Sequence, residues 1–445
     1  MKKLLIMALF IMLPLASASQ LEFYPSKNAF EEFLFDGRTY HVVPGESEYS
    51  QAWGWYIDEK LSRFKDRGNE VLVLVGNVYD NPEMKKLWGL TGLPPEASLK
   101  PMVIVLDEVV FFTGDEKSMY LIENAFSSYY RFSDREVYIF LSMGAVLTIF
   151  FVFLFSRHGN YTHFFYFLVV SIFALWIPNT IPLTIGEDFL RTTFQNALLG
   201  RKDTLLSFAL GSYFRLYSPT EEALLVLHFF LIFLTSTLMF FAAPKPYREF
   251  GFLIFGLVFS SPSFRSSIAD VSTNIGMFFV VLVAALTINM KFTEDIPKTI
   301  VQVFLLSLIV AVGSLVWPYL IVFPLFTFFV LPTKSIRNFL YLGLSTVFFI
   351  LGISVFSIPN FSLSLDLNPI FVLLKEGVLQ LILIFYLLFN FRRSLLNMRG
   401  GKALFFWLLI AFLPILVYSP QCLPMVQYLS AALAVRMICE FPTQT

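Results

Sequence analysis

IGEDFLRTTFQNALLGRKDTLLSFALGSYFRLYSPTEE, residues Ile185–Glu222, is the one long mixed-charge segment in a chain otherwise dominated by near-continuous apolar runs. It opens on adjacent carboxylates, Glu187 and Asp188, then sets Arg191, Arg201, Lys202, Asp203 and Arg215 among Phe, Leu and Tyr. At helical spacing this predicts a helix or two with one apolar and one charged side, lying along a membrane surface. Carboxylates beside cations at that depth suit an enzyme that uses a lipid phosphate. They equally suit an ordinary interfacial helix pair.

Composition sets the class. Of 445 residues, 57% are hydrophobic, 18% aromatic and only 14% charged, with mean hydropathy +0.70. Soluble domains carry about a quarter charged residues, so the chain is expected to be an integral membrane protein. Formal net charge is zero and no basic stripe occurs, so no nucleic-acid partner is expected. Cys422 and Cys439 stand near the two ends of one apolar run, roughly 25 Å apart if helical, too far for a disulfide. With no CxxC and no metal-ligand spacing, cysteine redox chemistry is excluded.

Residues 1–19 read as a secretory signal rather than a first anchor: Lys2-Lys3, an apolar run, then small residues from Ala16 to Ser19. Residues 20–135 have a soluble composition. Strands are expected at Thr39–Val43, Glu70–Val75, Pro101–Leu106 and Val109–Phe112, with helices at Tyr49–Arg67, Asn81–Trp88 and Lys117–Tyr130. The run EVLVLV is continuously apolar, which marks a strand buried on both faces.

From Glu136 onward about eleven apolar runs approach bilayer length, at 136–157, 161–183, 221–243, 249–264, 270–290, 298–316, 318–332, 337–357, 369–391, 403–419 and 423–440. With the 20–135 domain outside, the inner turns collect Arg157, Lys245, Arg248, Lys291, Lys298, Lys334, Arg337, Arg392, Arg393, Arg399 and Lys402. The short outer turns hold Arg265 alone, an asymmetry expected for an exported N-terminal domain. Residues 184–220 then form an amphipathic outer loop within a transmembrane domain, 136–445.

Two resemblances follow. MKKLWGLTGLPPEASLKPMVIVLDEVVFFTGDEKSMYLIENAF (Met84–Phe126), with the βαβαββα order, resembles the C-terminal half of thioredoxin. The resemblance implies a thioredoxin-like α/β domain with a cis-proline at Pro101. Where that family carries its redox pair, this chain reads Pro44-Gly45-Glu46-Ser47-Glu48, so no disulfide exchange is expected. The membrane region is similar to the GT-C glycosyltransferases, on IGEDF (Ile185–Phe189), Asp203–Phe233 and Gly256–Leu286. That family's proline-rich stretch in the first loop is replaced by LLSFAL. This resemblance implies transfer of a sugar from a polyprenyl-phosphate donor on the extracytoplasmic face of the cell membrane, to a protein or glycan acceptor. It assigns the catalytic base to Asp188 or Glu187. Arg191, Arg201, Lys202, Arg215, Arg265 and Lys375 become candidates for holding the lipid phosphate, with Asp270 as a second acid.

Plainer accounts stand beside these roles. Glu187-Asp188 suits a helix N-terminus, and surface arginines commonly meet lipid headgroups. Lys375-Glu376 interrupts an apolar run, where a charge is costly and often functional. His228 is expected to be packed and hydrogen-bonded, and Asn360-Phe361-Ser362 is a glycosylation sequon on an outer turn. No cofactor is expected; no ligand spacing supports a divalent metal. A non-catalytic accessory subunit or chaperone, recruiting partners through a redox-inactive domain, is the alternative to a transferase. A transporter comes third.

Overall fold

The structure, a computed structural model, describes residues 21–133 (except 128 and 130), 185–243, 250–289, 296–322, 335–358, 375–376 and 423–440, with isolated positions between 137 and 149. The described residues fall into two compact units. One joins the chain up to Ser133 with Tyr213–Glu222; the other is built from the remainder.

The first unit is an α/β domain: β1 (Glu22–Tyr24), α1 (Lys27–Phe35), β2 (Tyr40–Pro44), α2 (Glu48–Leu61), β3 (Val71–Gly76), α3 (Pro82–Leu87), β4 (Met102–Val105), β5 (Val109–Thr113) and a final turn of helix, α4 (Glu123–Phe126). Side chains start three helices. Ser26 accepts from the Ala29 amide, Ser47 from the Ser50 amide, and Asn81 from the amides of Glu83 and Met84. The sheet order is β1-β4-β5-β3-β2. β2, β3 and β5 are mutually parallel, β4 returns antiparallel to β5, and β1 runs parallel to β4. Successive residues of β5 feed opposite layers: Phe111 meets Trp88, while Phe112 stacks on Phe126 and meets Phe30 edge-on. Each such buried ring contributes about 1.5–3 kcal/mol.

The expected βαβαββ succession is present, and a βα unit precedes it. The long helix stops at Leu61, not Arg67, because residues 62–65 tighten into turns bonded to Asp58, Lys60 and Leu61. The closing helix shrinks to a 3₁₀ turn, Met119–Ile122, followed by α4. Pro101 is not cis; among the described residues the cis bond is Tyr24–Pro25. The Pro44–Glu48 turn is closed around Asp80, whose carboxylate accepts from the Ser47 amide at 2.7 Å and from the Ser50 hydroxyl. A β-carbon on Gly45 would lie 2.0 Å from Asp80 Oδ2, so this junction requires glycine.

The second unit is helical. After α5 (Gln195–Leu198) and α6 (Leu205–Leu216) come α7 (Glu221–Met239), α8 (Gly251–Phe259), α9 (Pro262–Ala269), α10 (Val271–Asn289), α11 (Ile296–Val316), α12 (Ser335–Val355) and α13 (Leu423–Glu440). The last turn of α6 and the first two residues of α7 belong to the first unit. α7, α10, α11, α12 and α13 are helices over ranges close to five of the apolar runs. The span expected at 249–264 is instead broken into α8 and α9 at Ser261-Pro262, where Ser261 caps the second helix and proline starts it. Among the described residues one stretch, Glu221–Ala242, is long and apolar enough to cross a bilayer; α10 to α13 contain apolar stretches of 10–17 residues. The runs at 136–157, 161–183, 369–391 and 403–419 lie outside the described residues but for isolated positions, as do the signal segment, Cys422 and the sequon.

Candidate functional site

Glu187 and Asp188 are exposed at the head of a π-helical turn, Phe189–Phe194, that continues into α5. Phe189, Leu190, Phe194, Ala197 and Leu198 are buried, while Glu187, Asp188, Arg191 and Thr192 face outward; the segment is amphipathic, but its apolar side is buried in the protein rather than offered to lipid. The Thr192 hydroxyl donates to the Asp188 carbonyl at 2.6 Å, a back-bond that competes with the helix ladder here. Gly200, at φ +67°, ends the segment in a conformation that favours glycine. Beyond it, both the amide and the hydroxyl of Ser357 donate to the Asp203 carbonyl at 2.6 Å. Phe208 packs on Phe356 with ring centres 5.8 Å apart, and the Lys202 ammonium sits 5.5 Å from the Phe208 ring.

Asp270 closes α9 and opens α10. Its Oδ2 accepts from Ser272 Oγ (2.6 Å), Thr273 N (2.9 Å) and Thr273 Oγ1 (2.9 Å). Among the described residues no such bond goes to Oδ1, and a β-carbon built on Gly186 would lie 3.8 Å from that oxygen. Gly186, at the start of the acidic turn, therefore lies near this oxygen of Asp270. Arg265, on the same short helix, is half-buried, and its Nε has no hydrogen-bond partner among the described residues. At the far end of α9, the Glu376 carboxylate accepts from Ser261 Oγ (2.6 Å), Ser263 N (3.0 Å) and Ser263 Oγ (2.8 Å), a carboxylate at a helix N-terminus. Gln427 Nε2 donates to Ser261 Oγ at 2.8 Å, tying α13 to this end.

Of the sequence-derived candidates, Arg265 lies on α9 and Asp270 closes it, and Gly186, just before Glu187 and Asp188, approaches Asp270. Lys375 is exposed next to Glu376, and Arg191 and Arg201 are exposed along the loop segment. Arg215, also exposed, belongs to the other unit. His228 is buried, with Asn274 Nδ2 3.0 Å from its Nδ1, as expected. Among the described residues no three His, Cys, Asp or Glu side chains converge as metal ligands would.

Sequence reasoning missed a second ionic cluster, in the first unit. Glu221 and Glu222 have no exposed surface. The Lys60 ammonium reaches Glu221 at 2.7 Å and Glu222 at 2.9 Å. The Tyr56 hydroxyl donates to Glu221, and Arg63 donates to Ser218 (3.0 Å) and Thr220 (2.8 Å). Burial alone would lower the Lys60 pKa, yet the two carboxylates outweigh it and hold it above the ordinary value. Burial, then the charge of Glu221, pushes nearby Glu123 up to about 8. Lys60 stands in the apolar stripe of α2, between Ile57 and Leu61, and that misplaced charge was the available signal.

No protein-family model, curated protein or solved structure matches the chain.

Proposed function

We propose that the protein is a multi-pass membrane glycosyltransferase that moves a sugar from a polyprenyl-phosphate donor on the extracytoplasmic face. The observation that carries this reading is the approach of Gly186, which immediately precedes Glu187 and Asp188, to Asp270 Oδ1, with Arg265 Nε, unpartnered among the described residues, on the helix that Asp270 closes. In the proposed step, Asp188 or Glu187 takes the proton of the acceptor hydroxyl as its oxygen attacks the anomeric carbon. The bond to the lipid phosphate breaks, its electron pair leaves with the phosphate, and the configuration inverts. Asp270 Oδ1 orients the acceptor hydroxyl, and Arg265 meets the charge growing on the phosphate.

Exposed apolar stripes support the membrane reading. On α11, Ile300, Val301, Phe304, Leu305 and Leu308 are exposed, and on α12 so are Val347, Ile350, Leu351 and Val355. Contiguous exposed apolar surface of this kind marks contact with lipid or protein. The test is transfer from polyprenyl-phosphate-linked mannose and glucose by the full chain in liposomes. Converting Glu187 and Asp188 together to alanine should lower transfer roughly 10²–10⁴-fold without lowering the unfolding midpoint. Undiminished transfer sinks the assignment.

A non-catalytic accessory subunit is the second reading, favoured by the thiol-free, hydrogen-bonded junction around Asp80. It expects co-purification with a larger complex and no transfer by the isolated chain.

A further inference from the structure

A cleft of about 410 Å³ opens in the first unit between β2 and α2, within the range of small-ligand sites. Its strand wall is Tyr40, His41, Val42 and Pro44, and its helix wall is the face of α2 bearing Gln51, Gly54, Trp55 and Asp58. Gly54 sets the floor: a β-carbon there would lie 2.6 Å from Pro44 Cβ, so α2 keeps a helix-unfavourable glycine to approach the strand. Arg67 closes one side, its guanidinium 2.8 Å from Asp58. The Tyr40 hydroxyl donates to the Asp58 carbonyl at 2.9 Å.

The chemistry of this lining selects its ligand. Asp58 and Arg67 neutralise one another, so the walls carry no net formal charge with His41 neutral. Donors and acceptors remain open. Gln51 spends its Nε2 on the Gly45 carbonyl (2.6 Å) and keeps Oε1; no hydrogen bond engages Arg67 Nη1 or the exposed His41 ring among the described residues. Half-exposed Trp55 adds an aromatic face with an N–H edge. A neutral ligand with hydroxyl donors and acceptors around apolar C–H faces satisfies all of these at once. An extended peptide does not. It would need a run of free edge groups on β2. Here the Asp66 carbonyl and Gly68 amide already occupy Tyr40, and Pro44 has no N–H. Only Val42 can offer both groups.

We propose that the β2–α2 cleft binds a neutral mono- or disaccharide, stacked on Trp55 and hydrogen-bonded by Gln51, His41 and Arg67. Its role as the acceptor glycan rests on the transferase reading; the binding itself does not.

Full-length protein in detergent micelles, titrated with methyl α-mannoside, methyl β-glucoside and N,N′-diacetylchitobiose and followed by saturation-transfer NMR, should bind at least one with Kd of about millimolar. Trp55→Ala should weaken that binding about tenfold or more, and Trp55→Tyr should restore it to within about threefold. His41→Ala, at an exposed position outside the core, should weaken it without lowering the unfolding midpoint. Penta-threonine, as an extended-peptide control, should not compete. The proposal is overturned if none of the three saccharides binds, if both alanine variants bind like wild type, or if penta-threonine displaces the sugar. Asp188→Ala should leave binding intact. Transfer lost in Asp188→Ala with no saccharide binding removes the cleft alone, whereas Trp55-dependent binding with Asp188-independent transfer removes the transferase reading alone.

Discussion

Glu187-Asp188 and Glu221-Glu222 are chemically alike, each an adjacent pair of carboxylates at the head of a helix with apolar side chains. The first pair is exposed, and the second has no accessible surface. What separates them is the company each keeps. α2 brings Lys60 and Arg63 to the second pair, and the Tyr56 hydroxyl adds a donor. Burial first, and then the negative charge of Glu221, raises neighbouring Glu123 to about 8, against the opposing pull of the Lys60 ammonium. A carboxylate pair surrounded in this way is committed to structure. The first pair stays exposed at the head of its helix, one residue after Gly186, which approaches Asp270 Oδ1.

The largest effect should come from stripping the buried pair of its cation. Lys60→Met removes the ammonium and leaves two buried carboxylates facing only Arg63. Breaking a buried ion pair from one side costs about 3–5 kcal/mol. Urea unfolding of the full chain in micelles should show that loss. Changing Glu221 and Glu222 to glutamine in the same chain should recover most of it, because neutral amides then replace the stranded charges. A loss in Lys60→Met no larger than that of a surface lysine would mean that the cluster holds nothing together.

Glu123 offers a finer probe through pH. Its folded pKa is raised from 4.5 to about 8, so the folded state holds a proton that the unfolded state has released between those values. Its contribution to stability is complete below pH 4.5, shrinks as pH rises towards 8, and is flat above. The slope cannot exceed about 1.4 kcal/mol per pH unit for one proton. Glu123→Gln should flatten the fall in unfolding midpoint between pH 5 and 8. An unchanged slope would place the proton elsewhere.

The unequal treatment of the two pairs also explains what could be read from sequence. Period and punctuation gave the strands of the α/β domain, because VLVLV and VVFF can only be buried strands between turn signals. The same reasoning found α7, α10, α11, α12 and α13 as apolar runs. It missed β1 because a three-residue edge strand is too short to show a period. It overran α2, because Phe64 continues the apolar spacing into what is a turn. The cis-proline expected at Pro101 came from resemblance alone, and the local backbone does not adopt it. In the second unit, IGED and Asp270 were each legible as acids, but their approach through Gly186 belongs to tertiary structure. Glu221-Glu222 read as the start of a span, since nothing in one dimension says that a lysine some 160 residues earlier will meet them.

The smallest stability effect should fall on the pair with the largest proposed chemical role. Glu187 and Asp188 are exposed, and the Asp188 carbonyl that accepts from Thr192 is a group any residue supplies. Alanine at both positions should therefore change unfolding free energy by no more than about 0.5 kcal/mol. The same substitutions at Glu221 and Glu222 would leave Lys60 buried without a counter-charge and should cost several times as much. If the exposed pair proved as costly to remove as the buried one, its carboxylates would be engaged in holding the helical unit together, and the group proposed to accept the acceptor's proton would not be free to do so.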